Sequence, residues 1–242
     1  MTRFQLGAAV RRYMELAGFE ISRIDSLRAN TMRAALARRL RAGLQVNTIV
    51  DVGASDGSWS RMARRFFPSA DCLLIEANRF HEPRLLHYAK EHGVNVVHAA
   101  ASDVDGVGFF DFSDPYGGLA SHTPEAGYAE VPTARIDTLV RRFGLRPPFL
   151  LKLDTHGFEV PILRGAKEIL PASSLLVIEA YNFRIAPEAL RFHEMCSWLE
   201  SAGFRTIDIV DPMRRPGDGA FWQLDLVFAP SANREFERDE FV

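Results

Sequence analysis

Seven short apolar runs recur from residue 47 onward, and their spacing sets the architecture. They are NTIVDVG (47–53), DCLLIEA (71–77), VNVVHAA (94–100), PFLLKLD (148–154), SLLVIEA (174–180), FRTIDIV (204–210) and FWQLDLVFA (221–229). Runs of this length, dominated by Val, Ile, Leu and Phe, read as strands. Segments 57–67, 80–92 and 157–170 are long enough for crossover helices, and a further helical stretch covers 187–202 before Gly203. Strands joined through helices form a parallel sheet covered on both faces. The last two runs break that rhythm, because only DPMRRPGDGA lies between them and no helix fits there. They must pair as an antiparallel hairpin or lie next to each other by that route. The expectation is an α/β, Rossmann-like sheet of seven strands, mostly parallel with one antiparallel strand, and helices on both faces. Between residues 101 and 147, GVGFFDF and AEVPTARID read as extra short strands around a long Gly/Pro/Ser-rich loop at 113–128.

The 242 residues are 47% hydrophobic and 25% charged, which suits one globular domain with a small appendage and excludes a disordered or fibrous chain. With 29 Lys+Arg against 31 Asp+Glu the net charge is −2, so no global basic field favours nucleic acid. The charge is uneven. Residues 1–45 hold nine Arg against Glu15, Glu20 and Asp25, leaving the remainder strongly acidic. In NTMRAALARRLRAGL, Met32, Leu36, Leu40 and Leu44 recur four apart, with Asn30 or Thr31 as N-cap and Gly43 near the end. This predicts an amphipathic helix whose cationic outer face is either simply solvated or covers a pocket, pairs subunits into a homo-oligomer or meets an acidic partner. The chain thus divides into a helical extension (1–45), a main domain (46–230) and a charged, loosely held tail (231–242). Only two cysteines are present, Cys72 and Cys196, each in an apolar run, which is too few for a disulfide scaffold or a four-thiol zinc site. No stretch has the pattern of a signal peptide or the ~20 apolar residues of a membrane span, and cytoplasm is the expected compartment.

The ligand-binding pattern is IVDVGASDGSWS at 49–60, an apolar strand that runs into Gly53 and Gly57 and then a helix. Small residues there let a ligand approach the backbone where open α/β sheets bind ligands. The spacing is G-x-x-x-G, which lacks the dinucleotide fingerprint G-x-G-x-x-G and the phosphate loop. Glu76 closes the second strand, where a carboxylate accepts the two hydroxyls of a ribose or else caps the next helix. Ser102 and Asp103 end the third strand at the same edge, within reach of an adenine. Together these describe an adenosine pocket without a pyrophosphate grip.

VDVGASDGSWS, LIEAN, the AASDVDG turn, VPTARIDTL and LLKLDTHGFEVPILRGAKEIL followed by LLVIEAYNF resemble the FkbM family of S-adenosylmethionine-dependent methyltransferases. The similarity covers about residues 47–183. It implies the class I methyltransferase sheet, S-adenosylmethionine as cofactor, and O-methylation of a small-molecule or glycan hydroxyl, such as that of a sugar or secondary metabolite. Asp51, Gly53, Ser55, Asp56, Gly57, Glu76, Ser102 and Asp103 would bind the cofactor. The family often has D-x-E-G where this chain has Asp154-Thr155-His156-Gly157.

A sulfonium makes methyl a strong electrophile, so the protein must align the acceptor oxygen and take its proton. His156 follows the fourth strand, and an imidazole with a pKa of about 6.5 suits a base near neutrality. Asp154 sits beside it, placed to orient His156, a hydroxyl or the cofactor's cationic end. Asp154, Glu179 and Asn182 at adjacent strand ends would also suit Mg²⁺, unless Glu179 and Asn182 simply cap and turn the chain. Glu159 reads as a first-turn helix acid. Tyr116, His122 and Tyr181 are candidates for lining the acceptor site. Two other readings stay open from the residues: a nicotinamide-dependent oxidoreductase, and a catalytically silent adenosine-binding protein.

Overall fold

The structure, a computed structural model, describes residues 29–240. Seven strands form one sheet: β1 (Thr48–Val52), β2 (Asp71–Glu76), β3 (Asn95–His98), β8 (Phe149–Leu153), β9 (Ser173–Tyr181), β10 (Phe204–Arg214) and β11 (Phe221–Pro230). Their order is β10-β11-β9-β8-β1-β2-β3, and β11 alone runs antiparallel to its neighbours. This is the sheet expected from the seven runs. All five residues of β1 and of β8 are buried, as central strands covered on both faces must be.

A second sheet, of order β4-β7-β5-β6, stands beside the first. It is built from β4 (Ala100–Ala101), β5 (Gly106–Asp111), β6 (Ala120–Ser121) and β7 (Tyr128–Ala134). The two short strands expected between 101 and 147 are β5 and β7. The third apolar run splits into β3 and β4, so one run serves both sheets.

Helices cover the two faces of the large sheet. On one lie α1 (Met32–Arg41), α2 (Ser58–Ala63) and α3 (Glu82–His92), where Met32, Leu36, Ala63 and Leu85 pack with Ile49 and Leu74. On the other lie α4 (Ile136–Arg142), α5 (Glu159–Arg164) and α6 (Phe192–Ser201), where Ile136, Ile162 and Leu199 pack with Val50 and Leu151. The sequence pattern missed α4. It overextended α5, which ends at Arg164; at the next residue, Gly165, a Cβ would lie 1.9 Å from the Ser102 carbonyl oxygen.

Residues 29–45 are part of this body. Thr31 caps α1 by accepting from the Ala34 amide, as expected, while the Met32 amide donates to Asp211 at 2.9 Å. Arg38 pairs with Asp208 on β10, and Arg39 with Glu235 in the tail at 2.7 Å. Two arginines of the expected cationic face are therefore spent within the chain. Leu40, expected inward, is 44% exposed. The tail is held as well: Arg205 lies over the Phe236 ring at 4.4 Å and Arg234 donates to the Ala42 carbonyl. The rest of the expected N-terminal extension, 1–28, lies outside the described residues. No helix among the described residues is long and apolar enough to cross a membrane.

Candidate active site

A cavity of about 350 Å³ opens at the carboxyl ends of β1, β2, β4, β8 and β9. Gly53 ends β1 there with φ +70°, and a Cβ on it would lie 1.9 Å from the Asp154 carbonyl oxygen. Only glycine lets the ends of β1 and β8 touch. Ser55, at φ +48°, donates its amide to Glu76 Oε2 at 2.7 Å, and the Asn78 amide donates to Oε1 at 2.7 Å. The carboxylate is thus fixed by two backbone donors. Each oxygen keeps a further lone pair, and Glu76 faces the cavity.

Other residues expected at the cofactor do different work. Asp51 is fully buried; it accepts from Ser60 Oγ at 2.6 Å and lies 3.3 Å from the Lys152 ammonium. Asp56 accepts from the Ser58 amide at 3.0 Å. Gly57, at φ +77°, leaves room for the Tyr88 ring, 3.1 Å from its missing Cβ. Ser102 and Asp103 bond to each other and to His122, with His122 Nε2 2.8 Å from Asp103. None of these five lines the cavity, whose wall on that side is Ala99, Ala100 and Ala101 facing Phe110, Phe158 and Ile162. Those side chains make that part of the wall apolar.

The other end of the cavity is charged. The Lys152 ammonium lies 3.0 Å from Asp154 and donates to the Gly53 carbonyl at 3.0 Å. Burial alone would lower its pKa, but Asp51 and Asp154 outweigh burial and hold it above the ordinary lysine value. His156, at φ +54°, has Nδ1 2.6 Å from the Tyr181 hydroxyl and 3.3 Å from Glu179. Its Nε2 lies 3.0 Å from the Tyr116 carbonyl, which can only accept, so that nitrogen carries a hydrogen. Tyr181 in turn donates to Glu179 at 2.5 Å, leaving Nδ1 to donate too. Geometry therefore describes an imidazolium. Burial opposes that charge, but the hydrogen bond and charge of Glu179, with Asp154 and Glu159 behind it, raise the pKa to about 9. The ordinary imidazole value of about 6.5 expected from the sequence is thus corrected to one in mild alkali. Glu159 is buried, accepting from the Thr155 hydroxyl and the Gly157 amide at 3.0 Å each.

Residues 51–206 match the family described as Methyltransferase FkbM domain. The chain belongs to this family. No curated protein matches it. Among solved structures it is similar to the methyltransferase FkbM of Methylobacillus flagellatus KT, at 16% identity and a TM-score of 0.49. That alignment covers 77% of this chain and 46% of the other, so the chain spans about half the length of that relative. A putative RNA methyltransferase from Pyrococcus horikoshii is 15% identical over 92% of this chain and 98% of its own, with a TM-score of 0.44. M. capricolum TrmK, solved with S-adenosyl-homocysteine, is 8% identical over 81% of this chain and 67% of its own, with a TM-score of 0.47.

In this FkbM-domain protein, Asp154 and Glu179 of the expected Mg²⁺ set come together, and His156 stands with them: the three bring one ligand atom each within 4.8 Å of one another. Asn182 directly follows β9, its backbone amide donating to the Trp222 carbonyl at 2.8 Å and its side-chain nitrogen to the Phe221 carbonyl at 3.3 Å. The two carboxylates are already met by side-chain cations, Lys152 on Asp154 and His156 on Glu179, while Tyr181 and Gln223 donate to Glu179. A hard oxygen-seeking cation does not fit that donor set. Of the aromatic candidates, Tyr116 lines the cavity, Tyr181 is bonded to His156, and His122 holds Asp103 outside. Sequence reasoning missed Asn78, His81, Phe158 and Gln223, which line the cavity from loops and from the antiparallel strand.

Proposed function

We propose that this chain is an S-adenosylmethionine-dependent methyltransferase that methylates a hydroxyl oxygen of a sugar, glycan or secondary metabolite. The supporting observation is that Glu76, fixed by two amides, and His156, paired with Glu179, face one cavity. The cavity fits an adenosine: an apolar wall ends at a carboxylate with lone pairs to spare, and Gly53 lets a ligand approach the backbone. When bound, the cofactor supplies an activated methyl group on a sulfonium.

The chain's own residues do the rest. Glu76 accepts the ribose hydroxyls, and Asp154, anchored by Lys152, places a negative charge near the cofactor's cationic end. His156, once neutral, keeps its Nδ1 hydrogen on Tyr181 and Glu179 and presents the Nε2 lone pair to the acceptor hydroxyl. The position now held by the Tyr116 carbonyl is where that hydroxyl would sit. Proton transfer leaves the imidazolium stabilised by Glu179, the role a carboxylate plays for a catalytic histidine elsewhere. Titration calorimetry with S-adenosylhomocysteine and with NADH, followed by methyl transfer to a panel of hydroxyl acceptors, tests the reading. Binding of S-adenosylhomocysteine with turnover supports it; binding of NADH instead would sink it, and binding without turnover on any acceptor would favour a silent adenosine-binding protein.

A further inference from the structure

The segment between β5 and β6 borders the cavity. Pro115, Tyr116 and Gly118 contribute to the wall, yet the Tyr116 side chain is 64% exposed. What holds the segment is a row of three consecutive carbonyls. Asn78 Nδ2 lies 3.3 Å from the Asp114 oxygen and 3.5 Å from that of Pro115, His81 Nε2 lies 2.7 Å from the Pro115 oxygen, and His156 Nε2 lies 3.0 Å from the Tyr116 oxygen. The shortest of these contacts belongs to His81. Its ring is 1% exposed, packs 5.2 Å from both Phe80 and Tyr116, and sits within 3.5 Å of Ser55 Oγ. A carbonyl only accepts, so His81 Nε2 carries the hydrogen.

We propose that His81 is a positioning residue that latches residues 113–118 as a lid over the cofactor cavity. The proposal rests on the S-adenosylmethionine reading for what the lid covers. Glu76, Asn78 and His81 all lie in the stretch EANRFH, and Glu76 and His81 both contact Ser55. Ribose seated on Glu76 therefore fixes the segment from which the lid is held. A volume of about 350 Å³ is at the lower end of ligand sites, which run from about 300 to 1,000 Å³, and with the lid shut it accommodates one ligand. The acceptor then needs the lid displaced, and His156 Nε2 becomes free for its hydroxyl in the same movement. Gly118 is the close-packed end of the lid, since a Cβ there would lie 2.4 Å from the Phe110 ring.

Chymotrypsin reports the lid directly, because Phe112 and Tyr116 flank and occupy it. Without ligand, His81→Ala should be cleaved at Tyr116 about tenfold faster than the unaltered protein, the scale of one lost hydrogen bond to a buried partner. His81→Gln, whose amide can reach the same carbonyl, should restore most of the resistance, which a residue acting only through packing would not show. S-adenosylhomocysteine should slow cleavage of the unaltered protein and slow it less in His81→Ala, with binding by the variant followed calorimetrically. Equal cleavage of His81→Ala and the unaltered protein overturns the latch, as does a Gln variant as labile as the Ala variant. Calorimetric binding of S-adenosylhomocysteine without any protection overturns the lid. No heat on adding it to the unaltered protein would instead fail the cofactor reading, while the ligand-free comparison still decides the latch. If His81→Ala does not fold, hydrogen exchange of the 113–118 amides in the unaltered protein, with and without S-adenosylhomocysteine, decides the same question: unchanged exchange upon binding overturns the lid.

Discussion

Lys152 and Asp154 end β8 as an ion pair at 3.0 Å, and the same ammonium lies 3.3 Å from the fully buried Asp51 of β1. One cation thus ties two neighbouring strand ends and supplies a countercharge to both carboxylates. Removing one partner of a buried ion pair costs about 3–5 kcal/mol, because the remaining charge stays desolvated. Lys152→Met should lower unfolding stability by that order, and Lys152→Met combined with Asp51→Asn should recover part of it. Urea denaturation of the single and double variants measures both; a single variant as stable as the parent would mean that these charges are not buried together.

Glu76 accepts amides from Ser55 and Asn78, so it both shapes the turn and faces the cavity. Loss of two hydrogen bonds to a charged acceptor is worth about 1.5–3 kcal/mol, so Glu76→Ala should weaken S-adenosylhomocysteine binding by roughly 10- to 100-fold. Glu76→Gln, which keeps one good acceptor, should fall between. Calorimetry giving parental affinity for both variants would remove Glu76 from the cofactor site.

What could be read in the sequence follows the range of the forces involved. Strand identity and the antiparallel hairpin were legible because they depend on local apolar runs and on a linker too short for a crossover. Gly53 and Glu76 were legible because the strand-turn-helix pattern fixes their place within one βαβ unit. Ser102 and Asp103 escaped that logic: His122, 19 residues onward, draws Asp103 away from the cavity, and nothing local in the sequence announces it. His81 and Gln223 were invisible for the same reason, since one acts through a loop 34 residues away and the other through a strand 44 residues from Glu179. The protonation of His156 needs all its neighbours at once, and three of the acids that set it come from separate positions along the chain.

His156 carries opposite consequences for stability and for turnover. Its pKa of about 9 in the folded chain exceeds the ordinary value near 6.5, so the ion pair with Glu179 stabilises fully below pH of about 6.5 and is lost as pH rises through about 9. A base must be neutral, so turnover should rise across that window and level off above pH of about 9. Glu179→Gln removes the countercharge and should move the midpoint downward, while His156→Ala should reduce turnover by about 10²–10⁴ with S-adenosylhomocysteine affinity little changed. A pH–rate profile that is flat from neutrality to mild alkali would dismiss His156 as the base.

Asp225 on β11 lies opposite Glu179 on β9. Burial, followed by the charges of Asp154 and Glu179, raises its pKa to about 7, with Lys152 only partly opposing them. For an acid raised in this way the sign is the reverse of a salt-bridged carboxylate: the folded state binds the proton more tightly than the unfolded chain, so stability falls as pH rises from about 4 to about 7. Asp225→Asn keeps the size and removes the charge. It should therefore stabilise the fold at pH 8 by on the order of 2 kcal/mol and change little at pH 4, where the parent is already protonated. Thermal or urea unfolding of the two proteins at both pH values makes the comparison, and a variant no more stable than the parent at pH 8 would show that Asp225 ionises there without penalty.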